Sequence, residues 1–377
     1  MAKVVVGLSG GVDSSVSAYL LKEQGHEVIG VFMQNWDSAL NNDKSDPYLD
    51  KDQCQASEDF EDARLVAEKL DIPIYRVNFV QEYWDKVFTK FLNDYKKGLT
   101  PNPDVFCNKY IKFDAFLDYA IKHFDCDYIA MGHYAQKVIE EDGSIRMLRG
   151  ADANKDQTYF LEQLSIAQLE KSLFPIGHLQ KSEVRKIAQE QGLVTANKKD
   201  STGICFIGER NFNDFLKNYI KEHQGNFVDK DTNLVVKPHK GMMFYTIGQR
   251  HGLDIGGDKR FKPLPWYVVG KKLDENIVYV SQREDQYWLK SNKAIVRDIN
   301  YIGYDKDKIT SAKFRYRSSD SKVIDYKWID ENTLELYYED TLAVTPGQAC
   351  VFYNGDICLG GGEIDKVYYN DEIRGIE

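Results

Sequence analysis

Apolar positions in the first part of the chain switch between two rhythms. Lys3 to Leu8 is a short β-branched run; Val12 to Gln24 then carries apolar residues at helical spacing, and Gly25 punctuates its end. His26 to Met33 reads as a second strand. Ala56 to Leu70 reads as a helix with Phe60, Ala63, Val66, Ala67 and Leu70 on one face, and Ile72 to Phe79 as a third strand. Asn35 to Asp52 is polar and predicts a mobile loop. Gln81 to Lys97 predicts an aromatic-rich helix whose stripe of Trp84, Phe88, Phe91 and Tyr95 suits a core better than a base-stacking surface. After a loop stiffened by Pro101 and Pro103, helix returns over Asn108 to Phe124, followed by a strand from Tyr128 to Met131. This βαβα order predicts a doubly wound parallel sheet. Residues 156–192 read as helical, divided in two at Gly177.

The texture changes near residue 210. A helix at Asn213 to Lys221 is followed by short period-2 runs separated by Gly, Asp and Asn: Trp266 to Val269, Ile277 to Val280, Lys313 to Arg317, Thr333 to Tyr338 and Ala349 to Tyr353. Such spacing predicts small β domains or barrels, and a boundary near Gln282 to Tyr287 divides this half. The expected organisation is an α/β domain over 1–209, a small β-rich central domain over 210–283, and a C-terminal β-barrel over 284–377. A chain of 377 residues suits two or three cores better than one.

Composition narrows the function classes. No run approaches the roughly 18 apolar residues needed to cross a bilayer, and Met1 to Gly7 lacks the apolar region of a secretory signal, so a cytoplasmic protein without membrane attachment is expected. The six cysteines form no C-x-x-C pair, which disfavours zinc ribbons and thioredoxin-type sites and leaves thiols in a reducing compartment. No metal site is expected from side chains alone. A net charge of −10 speaks against a nonspecific nucleic-acid coat protein and confines any RNA contact to local basic surface.

Ser9-Gly10-Gly11-Val12-Asp13-Ser14-Ser15 lies between the first strand and the first helix. Glycines let backbone approach a phosphate, the helix N-terminus favours an anion, and the serine hydroxyls add donors. The string has no Walker A lysine. Two cysteines stand in chemically suggestive settings. Cys107 follows Asn102-Pro103-Asp104 at the expected start of a helix, where a thiolate is favoured, with Lys109 and Lys112 nearby; burial as a small core residue is the alternative. Cys205 sits in Ser201-Thr202-Gly203-Ile204-Cys205-Phe206-Ile207-Gly208, either an accessible thiol in a polar loop or a core residue of a short strand.

Several strings together carry a family resemblance running from about residue 5 to about residue 365. They are the Ser-Gly-Gly-x-Asp-Ser loop, Asn102-Pro103-Asp104 with Cys107-Asn108-Lys109, Gly132-His133-Tyr134, Lys155-Asp156-Gln157, the Cys205 segment through Glu209-Arg210, Tyr245 to Arg250, and Gly360 to Glu363. In order and spacing they resemble the tRNA 2-thiouridylases, within the PP-loop ATP pyrophosphatases. Met131 departs from the Thr often found before Gly-His-Tyr. The resemblance implies an adenine nucleotide α-hydrolase-like first domain and ATP-dependent 2-thiolation of the wobble uridine. ATP, with Mg²⁺ on its phosphates, would adenylate uracil O2, and persulfide sulfur would then replace it at C2.

On that resemblance, Gly7, Leu8, Ser9, Gly10, Gly11, Val12, Asp13, Ser14, Met33 and Gly132 would bind the nucleotide. Cys205 would carry the persulfide, Cys107 would be the second catalytic thiol, and Asp104 a general acid/base. Asn102, Pro103, Asp104, His133, Lys155, Asp156, Gln157, Arg315, Tyr316 and Gln348 would contact tRNA. For Arg315 and Arg317, strand alternation predicts one shared face. A sulfur-donor protein is the expected partner and the chain is expected to act as a monomer. Another PP-loop adenylating ligase, or a non-catalytic tRNA-binding protein, are the alternative readings.

Overall fold

The computed structural model describes residues 1–46, 55–200, 212–256, 259–304 and 307–377. Its N-terminal part is organised by β1 (Lys3–Gly7), whose Val4, Val5 and Val6 are fully buried. A strand apolar on both faces belongs inside a sheet covered on both sides. The sheet is parallel: β1 lies between β2 (Glu27–Gln34) and β4 (Tyr128–Ala130), with β3 (Ile74–Asn78) beyond β2. Side chains alternate between two cores. Val4, Val6, Val28 and Phe32 face α1 (Val12–Glu23), α2 (Gln55–Lys69) and a later helix, whereas Val5, Ile29, Val31 and Met33 face the aromatic helices. The doubly wound expectation therefore holds.

The aromatic layer comprises α3 (Val80–Tyr83) and α4 (Thr89–Lys96), joined by a π turn at Trp84–Phe88, and then α5 (Pro103–Cys107) and α6 (Phe116–Phe124), joined by a π turn at Asn108–Ala115. Phe88, Phe91 and Tyr95 are buried and Trp84 packs against them, so the stripe is core. The loop after β2 departs from expectation over its described part, 35–46. Trp36 is buried with its ring 4.9 Å from that of Phe88, and its Nε1 donates to the buried Asp43 at 3.3 Å. Residues 47–52 of that expected loop lie outside the described residues.

The segment 156–192 has two helices, one on either side of Gly177, as expected, but they are short and separated by other structure. It holds a 3₁₀ turn at Thr158–Phe160, α7 (Ile166–Glu170), the short β7 (Ser172–Leu173) and α8 (Lys181–Glu190). β7 completes the parallel sheet beside β4. A Cβ on Gly177 would fall 1.7 Å from Ala135 O, because the chain passes tightly under a hairpin. That hairpin, β5 (Ala135–Ile139) and β6 (Ile145–Arg149), went unrecognised in the sequence, and it leaves the α/β layer to pair with the C-terminal sheet.

Beyond α9 (Phe212–Lys217), the central part is built from β8 (Gly225–Asp229), β9 (Val235–His239), β10 (Tyr267–Lys272) and β11 (Ile277–Ser281). The C-terminal part is a closed barrel. β12 (Lys290–Tyr301) pairs with β15 (Thr333–Leu342), β15 with β14 (Ser321–Asp330), β14 with β13 (Ser311–Lys313), β13 with β16 (Ala349–Asn354), β16 with β17 (Ile357–Tyr369), and β17 with β12 again, all antiparallel. Closure removes exposed strand edges. β18 (Glu372–Ile376) pairs with β17 and, in parallel, with β10, tying the barrel to the central part. The strand expected over Lys313 to Arg317 ends at Lys313, and the chain turns through Arg315 to Arg317. The shared strand face for the two arginines is therefore corrected.

Candidate functional site

In the order β3-β2-β1-β4-β7 the winding reverses between β1 and β4, and open α/β sheets bind ligands at the carboxyl ends of strands flanking such a point. Leu8 to Ser15 lies there. Gly11 is the N-cap of the 12-residue α1 and offers no side-chain cap, which leaves first-turn amides available for an anion. Ser14 Oγ accepts from Ser9 N at 3.1 Å and donates to Gly11 O at 3.1 Å, which sets the curvature of the loop. Gly10 has φ +74°, and a Cβ there would lie 2.1 Å from Asp59 O of α2. Gly132 packs so closely on the start of α1 that a Cβ would sit 2.8 Å from Ser14 N. Gly7 touches two methionines: a Cβ there would be 2.7 Å from Met131 Sδ and 3.1 Å from Met33 Cε. The nucleotide-binding candidates Gly7 to Ser14, Met33 and Gly132 thus converge on one place.

A charge network that the sequence did not announce borders this loop. Lys181 Nζ, at the start of α8, donates to both Asp13 carboxylate oxygens at 2.7 and 2.8 Å and reaches Asp200 at 2.8 Å. Asp200 also accepts from Lys155 at 2.6 Å and Arg185 at 2.7 Å. Burial would raise its pKa, but Lys155 and Lys181 outweigh burial and hold it at about 2. Tyr134 OH donates to Asp13 at 2.8 Å. The local signal for Lys181 was only the capping pair Gln180 and Glu183, which marks where α8 begins.

Asn102, Pro103, Asp104 and Cys107 belong to α5, which starts five residues before the expected helix. Asn102 Oδ1 accepts from Asp104 N at 3.1 Å and Pro103 fills the first helical position. Cys107 is consequently a full turn inside the helix, 0% exposed within the aromatic core; the helix-end setting expected for its thiol is corrected. A cleft opens beside α5, lined by Asn102, Phe106, Lys109, Glu162, Gln163 and Glu363 among others. Glu162 is 1% exposed and burial pushes its carboxyl up to about 8. Cys205, with the rest of 201–211, lies outside the described residues.

The expected tRNA-contacting residues divide by placement. Lys155 is part-exposed beside Asp200. Asp156 is buried and accepts from Gly150 N, Thr158 N and Thr158 Oγ1, while Gln157 Oε1 accepts from Tyr134 N at 3.0 Å. Both brace the loop from inside. His133 is buried near Phe113 and Phe174, and burial, then Lys112, drive its pKa well below the usual value. Arg315 Nη2 donates to Ile247 O at 3.0 Å and to Ala343 O at 2.8 Å, bridging the central part and the barrel. Tyr316 packs on Phe160 at 4.4 Å, and Gln348 Nε2 donates to Thr100 O at 2.6 Å.

Comparison with known proteins identifies the family. Family models described as the tRNA methyl transferase HUP domain, PRC-barrel domain and aminomethyltransferase β-barrel domain match residues 2–209, 213–282 and 291–364. Curated proteins named tRNA-specific 2-thiouridylase MnmA from Staphylococcus aureus strains JH9 and Newman are 53% identical over 374 residues, covering 98% of this chain and 96% of theirs. Among solved structures, an NMN synthetase from Francisella tularensis aligns over 53% of this chain and 66% of its own at 17% identity, with a TM-score of 0.32.

Proposed function

The chain belongs to the tRNA-specific 2-thiouridylases, and from that premise we propose how its residues divide the work of an ATP-dependent tRNA sulfurtransferase. ATP places its phosphates on the amides of Gly10 to Ser15, at the uncapped start of α1, with the adenine toward Met33 and Gly132. That uncapped N-terminus, at the carboxyl end of β1, is the observation that carries the reading. A Mg²⁺ brought in with the phosphates would neutralise their charge; Asp13, the hard oxygen donor in the first turn, is held on both carboxylate oxygens by Lys181 and would have to exchange that ion pair for the metal.

Uracil O2 of the wobble uridine attacks the α-phosphorus and pyrophosphate leaves. Asp104, in the half-buried first turn of α5, accepts or returns a proton at the base. The oxygen at C2 is now part of a good leaving group, AMP. The terminal sulfur of a Cys205 persulfide then takes its place, either by direct attack followed by disulfide formation between Cys107 and Cys205, or as hydrosulfide displaced from the persulfide by Cys107. Both routes end with a Cys107–Cys205 disulfide, which an external thiol reduces with two electrons. The anticodon loop presents its wobble base already outside a duplex, which limits the unstacking needed. Lys155 and the barrel face near Arg315, Tyr316 and Gln348 receive the RNA. A persulfide-carrying protein loads Cys205, and the monomer works in the cytoplasm.

The test measures pyrophosphate release, AMP release and nucleoside mass together, with tRNA, ATP and a persulfide donor. Cys205→Ser is expected to release pyrophosphate in a tRNA-dependent manner while forming no 2-thiouridine. Full thiolation by that variant would refute the sulfur route, and AMP release independent of tRNA would refute the substrate.

A further inference from the structure

The segment leading into α5 is held by all three parts of the molecule. Lys271, on β10 of the central part, is 1% exposed and donates from Nζ to Gly98 O at 2.7 Å. Burial lowers its pKa to about 7. On the other flank, Thr100 N donates to Pro346 O at 3.1 Å, and Gln348 Nε2 of the barrel donates to Thr100 O. The fit is close on both sides. A Cβ on Gly98, which has φ +75°, would lie 2.6 Å from Leu273 Cδ2, and one on Gly347 would lie 2.8 Å from Leu99 Cβ. Two residues after Thr100, Asn102 caps α5, and Asp104 and Cys107 follow.

Simple packing does not call for an amine here. A lysine loses solvation on burial, and an apolar side chain of similar length would fill the volume without that loss. What an apolar side chain does not supply is a donor for Gly98 O, whose own geometry leaves it turned toward β10. A carbonyl fixed at this point sets where the chain enters α5, and a rigid helix carries that setting to its side chains.

We propose that Lys271 is a positioning residue for sulfur transfer: its amine, delivered by the central part, fixes Gly98 O and thereby the start of α5, so that Asp104 and Cys107 meet the uracil in register. The proposal rests on the reading that these two residues serve the base. It assigns the central part, which carries none of the expected catalytic residues, a role in the rate of the reaction.

The experiment compares full-length wild type, Lys271→Met and Lys271→Gln in thiolation of a tRNA transcript, with ATP, a small-molecule persulfide as the sulfur source and an external thiol for turnover. Lys271→Met is expected to lower kcat roughly tenfold, as misplacement of reacting groups does, while KM for tRNA and for ATP stay within about twofold. Lys271→Gln, which retains a donor, is expected to recover part of the loss. An unchanged kcat in the Met variant, or a loss confined to KM for tRNA, overturns the proposal. Amide hydrogen exchange on the wild type decides it should the Met variant not fold. Slow exchange at Gly98 to Thr100, matching α5, is expected, and exchange as fast as in exposed loops overturns the anchor. Cys107→Ser is assayed alongside: full activity there refutes the underlying reading, whereas its loss together with normal Lys271→Met turnover refutes only the role of Lys271.

Discussion

Glu162→Gln should stabilise the N-terminal domain, and by an amount that grows with pH. Glu162 is 1% exposed, and burial, only partly offset by the Gln163 amide and Lys109, raises its carboxyl from 4.5 to about 8. Between those values the folded chain keeps a proton that the unfolded chain has released. Unfolding therefore releases a proton, and stability falls as pH rises through this window. The carboxyl's contribution is fully present below pH 4.5 and is lost by about pH 8. Each pH unit removes about 1.4 kcal/mol. A glutamine has the same shape, still accepts from Gln163 Nε2 and does not titrate. Between pH 5.5 and 7.5 the advantage of the variant should grow by about 2.7 kcal/mol, or roughly 5–10 °C in the melting temperature of a domain of this size. Thermal unfolding of both proteins, followed by tryptophan fluorescence at several pH values, measures it. A difference in Tm that is constant from pH 5.5 to 7.5 would refute the reasoning, since a carboxylate already ionised in the fold produces no such slope.

Two further outcomes follow from close contacts. Gly10→Ala forces a side chain into a left-handed conformation, at about 1 kcal/mol, and drives its Cβ onto Asp59 O. A loop shift of about 1 Å should cut tRNA-dependent AMP release roughly a hundredfold, and a wild-type rate of release would contradict the assigned phosphate cradle. Arg315→Lys keeps the charge but withdraws the rigidly placed Nη2 group, whose N–H bonds reach both Ile247 O and Ala343 O. It should lower the stability of the junction between barrel and central part by about 1–2 kcal/mol in denaturant unfolding, whereas a purely RNA-facing arginine would leave that transition unmoved.

Much of the α/β layer was legible in local pattern. Val4 to Val6 could only be an interior strand, Val12 to Gln24 and Ala56 to Leu70 carried helical periods, and Ser9 to Ser15 announced a phosphate loop. Local pattern failed where distant chain supplies the partner. The hairpin at Ala135 to Arg149 is a strand pair because β17 extends it, and Ser172 and Leu173 are extended because β4 lies alongside. Helical propensity in 156–192 yielded to those pairings. The early start of α5 comes from Asn102 and Pro103, residues that suit a stiff loop and a helix cap equally until the chain after them is seen to turn.

The sequence alone determined the doubly wound sheet, the glycine-rich loop and the resemblance that names the chemistry, because the elements and the loop are written in local pattern and the resemblance in the order of short strings along the chain. The tertiary structure decided what surrounds that loop and what holds the catalytic helix. It brought Lys181 to Asp13 and linked it through Asp200 to Lys155, turned Arg315 toward backbone carbonyls, buried Cys107, and set Lys271 against Gly98. Those outcomes depend on segments up to 248 residues apart, as between Thr100 and Gln348. Hydrogen bonds and ion pairs act only over a few ångströms, so spacing along the chain says nothing of them until the fold has brought their partners together.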